Sequence, residues 1–183
     1  DSQTANLINE LEDSKTVLIA HQADDPNVGL SNSEDLDYYK IYCADTGLFT
    51  TLMFKDKTYT DNVIYQQLLT DKLPANLGFL FENAVAQTFA ANGNKLYYHT
   101  WRDKESGKSY EVDFLLAEGK KICPVEVKSS GYKNHASIDA FCRRFSSRVG
   151  RKYLIYTKDY AKDQDLVCLP VYMAQFLSDR SEI

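Results

Sequence analysis

The stretch EVDFLLAEGKKICPVEVKSS, residues 111–130, decides the fold, because it holds two strand patterns joined by a short polar turn. Two apolar strands separated by such a turn are expected to pair as a hairpin. Side chains alternate between the two faces of a strand, and one face of this hairpin holds Asp113, Glu126 and Lys128. These three side chains are therefore expected to converge on one patch of the sheet.

Carboxylates within apolar strands cost free energy unless a partner compensates their charge. A divalent cation is one such partner and a lysine is another. The sequence pattern Asp-x12-Glu-x-Lys does not by itself distinguish between these two alternatives. A metal site and a salt-bridged hairpin both remain open at this point.

The patterns on either side of the hairpin predict a mixed α/β sheet with helices packed against it. Helical spacing of apolar residues predicts a helix over about 75–92, which begins near Pro74 and ends at Gly93. The other elements predicted from residue 95 onward are strands over 95–101, 109–117, 122–129 and 152–157, a helix over about 135–146, the strand LVCLP and a short C-terminal helix.

The segment before this core predicts an N-terminal extension of helices and strands. Its predicted elements are a helix over 4–13, a strand over 16–21, an exposed loop over 24–37, a strand over 39–44, a short helix capped by Asp45 and a helix over 61–70. We therefore predict two parts, an extension over residues 1–76 that packs on a core over residues 77–183.

The composition is that of a globular protein, with 183 residues, 44% hydrophobic and 26% charged. We find no apolar run long enough for a membrane helix and no signal peptide, so a cytoplasmic location is expected. The four cysteines form no CxxC pair and lie in apolar stretches, which indicates reduced core thiols. The chain begins at Asp1 without Met, so it is interpreted either as a piece of a longer protein or as a processed chain.

The net charge of −5 is distributed unevenly. Residues 1–76 hold 13 acidic and 5 basic residues, whereas residues 77–183 hold 13 acidic and 16 basic residues. The segment from Lys128 to Lys152 holds seven Lys or Arg residues and one acid, Asp139. This basic segment is either a phosphate-binding face or a solvated helix surface.

The strand pair EVDFLLAEGKKICPVEVKSS, preceded by the helical run GFLFENAVA, resembles the PD-(D/E)xK nuclease superfamily. The resemblance implies a restriction-endonuclease-like mixed sheet flanked by helices. It also implies that Asp113 and Glu126 hold Mg²⁺ or Mn²⁺, that Lys128 acts on water or phosphate, and that Glu82 assists from the helix. Val112 stands where the superfamily name expects Pro.

A narrower resemblance covers about residues 7–175. The segments YKIYCADTGLF, LGFLFENAVA, EVDFLLAEG and PVEVKSS are similar to the C-terminal domain of unknown function that follows the ATPase module in a bacterial and archaeal family of AAA-type ATPases. This resemblance implies an ATPase module on the same chain as the partner of this domain. Residues 1–183 themselves hold no ATP site, because Gly107-Lys108-Ser109 lacks the first Gly of a P-loop and lies between two predicted strands.

Two functions follow from these observations. The first is a Mg²⁺-dependent nuclease-type domain that hydrolyses phosphodiesters, with Lys133, Arg143 and Arg144 holding the DNA backbone. The second is a catalytically silent domain of the same fold that docks the ATPase to protein or DNA. The complete set of acids with Lys128 favours the first, and the negative charge of residues 1–76 favours the second.

Other residues that suggest chemistry have structural interpretations. Trp101 is expected to pack rather than stack on bases, and His135 is expected to lie on the surface. Glu111 shares the face of Asp113 but is expected to be exposed at the start of its strand. Asp45 is expected to cap a helix.

Overall fold

The computed structural model describes residues 2–55, 77–104 and 106–178, and it has a mixed α/β architecture. The helices are α1 (Ser2–Asp13), α2 (Thr46–Phe54), α3 (Leu77–Ala91) and α4 (Ala136–Arg144), with 3-10 turns at Leu30–Ser33 and Val171–Phe176. The strands are β1 (Val17–Ala23), β2 (Glu34–Cys43), β3 (Leu96–Arg102), β4 (Ser109–Val112), β5 (Phe114–Glu118), β6 (Lys121–Lys128), β7 (Lys152–Tyr156), β8 (Ala161–Asp163) and β9 (Leu166–Pro170). The predicted fold class, a mixed sheet flanked by helices, is confirmed at this level.

The described strands form two sheets. The first has the order β2-β1-β3-β4, in which β1 is antiparallel to β2 and parallel to β3. The second has the order β5-β6-β7-β9-β8, in which β6, β7 and β9 run parallel. Two strands from the predicted N-terminal extension therefore share a sheet with strands from the predicted core. The division at residues 76 and 77 stays a prediction.

The chain passes from the first sheet to the second at Asp113. The sequence predicts one strand over 109–117, but the structure divides it into β4 and β5 with a bend at Asp113. β4 pairs with β3, whereas β5 forms the predicted antiparallel hairpin with β6. The bend separates two strands that pair with different partners. The alternation of side chains along the sequence does not reveal this division.

Within the described residues, the remaining predicted elements agree with the structure within a few residues, with two exceptions. β2 begins at Glu34, inside the predicted loop, because an edge strand tolerates the polar residues found there. The short strand β8 was not predicted. The predicted helix over 61–70 and the predicted helix start at Pro74 lie outside the described residues.

Helices α3 and α4 cover opposite faces of the hairpin formed by β5 and β6. Val85 and Phe89 of α3 share a buried cluster with Phe114. Phe141 of α4 shares another buried cluster with Leu115. Phe114 and Leu115 are consecutive residues of a strand, so they point to opposite faces. The sheet therefore forms the middle layer between the two helices.

Three further findings concern the end of α3, the four cysteines and the search for membrane-spanning helices. Gly93 follows α3 with a φ of 83°, a left-handed conformation that stops helices and favours glycine. All four cysteines are free, as predicted, but only Cys123 and Cys168 are buried in the core, whereas Cys43 and Cys142 are partly buried. Among the helices that the structure describes, none combines the length and apolar character needed to cross a membrane.

Candidate functional site

Asp113 lies at the bend between the two sheets, and its side chain takes part in strand pairing. The backbone N–H of Val127 in β6 donates a hydrogen bond of 2.7 Å to Asp113 Oδ2. In a continuous ladder this N–H would bond to a carbonyl of the opposite strand. The carboxylate replaces that carbonyl, so the bend fixes the Asp113 side chain between the strands.

Two further carboxylates approach Asp113. Glu82 comes from α3, and Glu111 comes from β4, two residues before Asp113. One carboxylate oxygen from each of the three residues lies within 4.8 Å of the others. We call Glu82, Glu111 and Asp113 the acidic cluster. Its oxygens are close enough to share one divalent cation, which prefers oxygen ligands.

Strand β2 supplies hydrogen-bond donors to Glu82 and Glu111 of the acidic cluster. Lys40 Nζ bonds to Glu82 Oε1 at 3.1 Å and to Glu111 Oε1 at 2.5 Å. The hydroxyl of Tyr42 donates to the same Glu82 oxygen at 2.6 Å. Lys40 and Tyr42 are two residues apart in a strand, so they project from one face. That face of β2 therefore covers the acidic cluster.

The packing of like charges changes the proton affinity of the cluster. Burial and the charge of Glu82 raise the pKa of Asp113 to about 8, although the Val127 N–H and Lys40 oppose this change. Burial and the charge of Glu82 also raise the pKa of Tyr42. Burial lowers the pKa of Lys40, but Glu82 and Glu111 outweigh it, so that pKa lies above its ordinary value. Asp113 is therefore the group that most needs a cation or a proton.

The helix residue next to Glu82 holds β2 in place. Asn83 is 1% exposed, and its amide oxygen accepts a hydrogen bond of 2.8 Å from the backbone N–H of Cys43. Its amide nitrogen donates to the Cys43 carbonyl and to the Thr46 hydroxyl. One turn later, Gln87 accepts two hydrogen bonds from Thr46. These bonds attach the end of β2 to α3 and bring Lys40 and Tyr42 to Glu82.

Glu126 and Lys128 form a neighbouring ion pair on β6. Lys128 Nζ lies 2.8 Å from Glu126 Oε1, and Glu126 is 8% exposed. Glu126 Oε2 is buried and makes no hydrogen bond within the described parts of the chain. The charge of Glu126 adds to the pKa increase of Asp113, so the two carboxylates interact. Their joint role as metal ligands stays a prediction.

The three basic residues predicted to bind DNA lie outside the acidic cluster. Arg143 and Arg144 are in the last turn of α4, on the opposite side of the sheet from α3. The guanidinium of Arg144 lies over the Phe145 ring at 5.4 Å from its centroid. Lys133 is exposed in the loop before α4. Their proposed contact with DNA stays a prediction.

Sequence reasoning did not identify Lys40 and Tyr42, and it interpreted Glu111 as an exposed strand residue. The Glu111 side chain is 42% exposed, yet it bonds to Lys40 within the cluster. The alternation of Lys40 and Tyr42 in YKIYC places both on one face, which is the signal available in the sequence. The signal was insufficient because the neighbours of β2 are decided by long-range pairing.

The structural interpretations of the other residues agree with their positions. Asp45 caps α2 by accepting a hydrogen bond of 2.7 Å from the Leu48 N–H. Trp101 is buried and stacks on His99, with ring centroids 5.2 Å apart. His135 is partly exposed and bonds to Asp139 at 2.9 Å. The Gly107-Lys108-Ser109 segment ends the β3–β4 connection and enters β4, as predicted.

Comparison with known proteins identifies the family of the chain. No curated protein and no solved structure matches the chain significantly. A family model described as "Domain of unknown function (DUF4143)" matches residues 77–173, which is just over half of the chain. The match covers Glu82, Glu111, Asp113, Glu126 and Lys128, whereas Lys40 and Tyr42 precede it. The chain therefore belongs to this family, the domain of unknown function DUF4143.

Proposed function

We propose that this domain is a Mg²⁺-dependent nuclease-type domain of the PD-(D/E)xK kind, attached to an AAA-type ATPase module. The observation that carries the proposal is the acidic cluster around Asp113, in which three carboxylate oxygens lie within 4.8 Å of one another. Such a concentration of negative charge in a partly buried site requires a cation or a proton. A divalent cation satisfies this requirement and fits the oxygen donors present.

The donor atoms fit a divalent cation. Glu126 Oε2 is a buried carboxylate oxygen without a hydrogen bond in the described residues, and Glu126 interacts electrostatically with Asp113. Asp113 and Glu126 would hold the metal, and Glu82 would assist from α3. Bound Mg²⁺ would acidify water and offset the negative charge of a phosphodiester.

The protein's own side chains have separate roles in this proposal. Lys128 is paired with Glu126, so its ammonium is held next to a proposed metal ligand. There it would stabilise charge that develops on the phosphate in the transition state. Lys133, Arg143 and Arg144 would bind the nucleic-acid backbone away from the reacting phosphate, without reading sequence.

A silent docking domain is the second candidate, and a specific observation favours it. Lys40 forms ion pairs with Glu82 and Glu111, and Lys128 forms an ion pair with Glu126, so protein cations already pair several of the acids. An acidic site paired in this way can serve as a structural network without a metal. In that case the domain would link the ATPase to a protein or DNA partner.

Cleavage of one labelled DNA duplex and one single strand, with and without Mn²⁺, tests the proposal. We expect Mn²⁺-dependent cleavage by the unmutated protein and a loss of about 10²–10³-fold in Lys128→Ala, because a transition-state contact is removed. Asp113→Asn should also remove cleavage. Asp165→Asn is the matched control, because Asp165 is exposed and lies outside the acidic cluster.

Binding to the same DNA separates the two functions. The double variant Arg143→Ala with Arg144→Ala should bind more weakly, and binding should decrease steeply with salt because counterions are released. Lys128→Ala should bind nearly as well as the unmutated protein. Undetectable cleavage by the unmutated protein, together with salt-insensitive or undetectable DNA binding, would favour the docking domain.

A further inference from the structure

Lys40 occupies an unusual position, because its ammonium lies against two of the three carboxylates that could hold a metal. Its Nζ contacts Glu82 Oε1 and Glu111 Oε1, and it also lies 5.1 Å from the centroid of the Tyr98 ring. The Lys40 side chain is 22% exposed. The ammonium is therefore enclosed by acids and an aromatic face rather than extended into solvent.

The position of the ammonium is maintained by the fold. Lys40 pairs with Ala20 of β1 in the middle of the β1–β2 ladder. Two residues later, Tyr42 bonds to the Glu82 oxygen that Lys40 also contacts. Asn83 then holds the end of β2 at Cys43. These contacts restrict how far Lys40 can move away from the acidic cluster.

An ammonium and a divalent cation compete for the same carboxylate oxygens. A Mg²⁺ ion coordinates oxygens directly at about 2.0–2.1 Å. A hydrogen-bonded ammonium directs positive charge at the same oxygens and repels a second cation nearby. A metal bound to Glu82 or Glu111 would therefore either displace Lys40 from a shared oxygen or bind against the repulsion of its ammonium.

We propose that Lys40 is a tethered counter-ion of the acidic cluster that competes with the divalent metal and thereby sets the metal affinity of the site. The inference rests on the proposed function to the extent that the cluster takes a metal. It extends that function to a residue outside the segment that matches the family model, because Lys40 precedes residues 77–173. The N-terminal strands would then regulate a site built mainly from the matched segment.

Direct binding of Mn²⁺ ions, measured by calorimetry and by the electron paramagnetic resonance of free Mn²⁺, tests this inference. We expect Lys40→Met to bind Mn²⁺ at least about tenfold more tightly than the unmutated protein, because a competing positive charge is removed. Lys40→Gln should behave in the same way, and it replaces Lys40→Met if that variant does not fold. Lys40→Arg keeps the charge and should stay close to the unmutated affinity.

Lys95→Met is the matched control. Lys95 also pairs with a glutamate, Glu34 at 2.6 Å, and also lies over a tyrosine ring, but it is not part of the acidic cluster. Its removal should leave the Mn²⁺ affinity unchanged. An equal increase in affinity in Lys95→Met would indicate a general charge effect and would overturn the inference.

Two results distinguish this inference from the nuclease proposal. If Lys40→Met binds Mn²⁺ no more tightly than the unmutated protein, or if neither binds, the inference is overturned. If Lys40→Met binds more tightly while no variant cleaves nucleic acid, the inference is supported and only the nuclease is contradicted. Asp113→Asn should weaken Mn²⁺ binding in either background, which confirms that the measured ion is at the cluster.

Discussion

The pair formed by β3 and β4 has two different faces. On the face toward α3, Glu111 meets Lys40, Glu82 and Asp113. On the face toward α4, buried aromatic rings pack together, namely His99, Trp101, Phe141 and Phe145. Residues next to each other in sequence, such as Tyr110 and Glu111, belong to opposite faces.

The two faces tolerate polar groups for different reasons. The acidic cluster satisfies its carboxylates with an ammonium, a phenol and a backbone N–H, and Asp113 still has a raised pKa. The aromatic face contains one polar ring, His99, whose Nδ1 bonds to the Ala23 carbonyl at 2.6 Å. His99 Nε2 is buried without a hydrogen bond in the described chain. One face thus concentrates negative charge, whereas the other disfavours a positive charge on His99.

The largest effect should come from the aromatic face. Phe141 is fully buried between Trp101, His99 and Phe145, so Phe141→Ala should lower the free energy of unfolding by about 3–5 kcal/mol. Urea unfolding measures this change. Phe176→Ala is the control, because Phe176 is 63% exposed and its removal should cost little. Equal losses in the two variants would contradict the assignment of this face as the core.

The second effect concerns the charged face. The raised pKa of Asp113, about 8, means that the folded state binds a proton more tightly than the unfolded state. The stability contributed by this proton is fully present when the pH is below the pKa of Asp113 in the unfolded chain, which is near 4. It is lost as the pH rises toward 8. Asp113→Asn removes the repulsive charge, so we expect it to be more stable than the unmutated protein at pH 8 by at least about 1.4 kcal/mol, the equivalent of a single pKa unit.

Thermal melts from pH 5 to pH 9 without metal measure that difference. The advantage of Asp113→Asn should increase with pH and then level off above pH 8. The exposed Asp165→Asn should show no such trend. A loss of stability in Asp113→Asn at every pH would instead indicate that the carboxylate is a structural ion-pair member whose charge the fold requires.

The smallest effect concerns His99. Burial lowers its pKa below the ordinary value of 6.5, despite the bond to Ala23, so the folded state resists protonation. The stability that His99 contributes is therefore present above pH 6.5 and is lost as the pH falls below it. Between pH 7.5 and pH 5.5 the unmutated protein should lose up to about 1.4 kcal/mol more than His99→Phe, because pH 5.5 lies one unit below the ordinary pKa of histidine.

Urea unfolding at the two pH values gives this comparison. His135→Gln is the control, because His135 is partly exposed and bonds to Asp139 at the protein surface. It should keep the pH dependence of the unmutated protein. An identical pH dependence in His99→Phe would show that the aromatic face does not resist the charge of His99.

Several features of the site could be predicted from local sequence patterns. The period of the apolar residues in α3 and the alternation in β6 predicted these two elements within a few residues. Glu82 lies within the predicted helix over about 75–92, and Glu126 and Lys128 lie on one predicted face of β6. Both placements follow from the fixed geometry of helices and strands, in which spacing along the chain determines direction.

Tertiary structure alone decided which of these residues meet. Lys40 and Glu82 are 42 positions apart, and they touch because β1 joins β2 on one side and β3 on the other. The bend at Asp113 likewise arises because β4 and β5 pair with different strands. Local periodicity fixes the direction of a side chain relative to its own strand, but the order of strands depends on the burial and backbone pairing of the whole chain. The sequence therefore indicated Glu82 and Asp113 as candidate acids, whereas the assembled sheet brought Glu111 to them and placed Lys40 as the cation that pairs with Glu82 and Glu111.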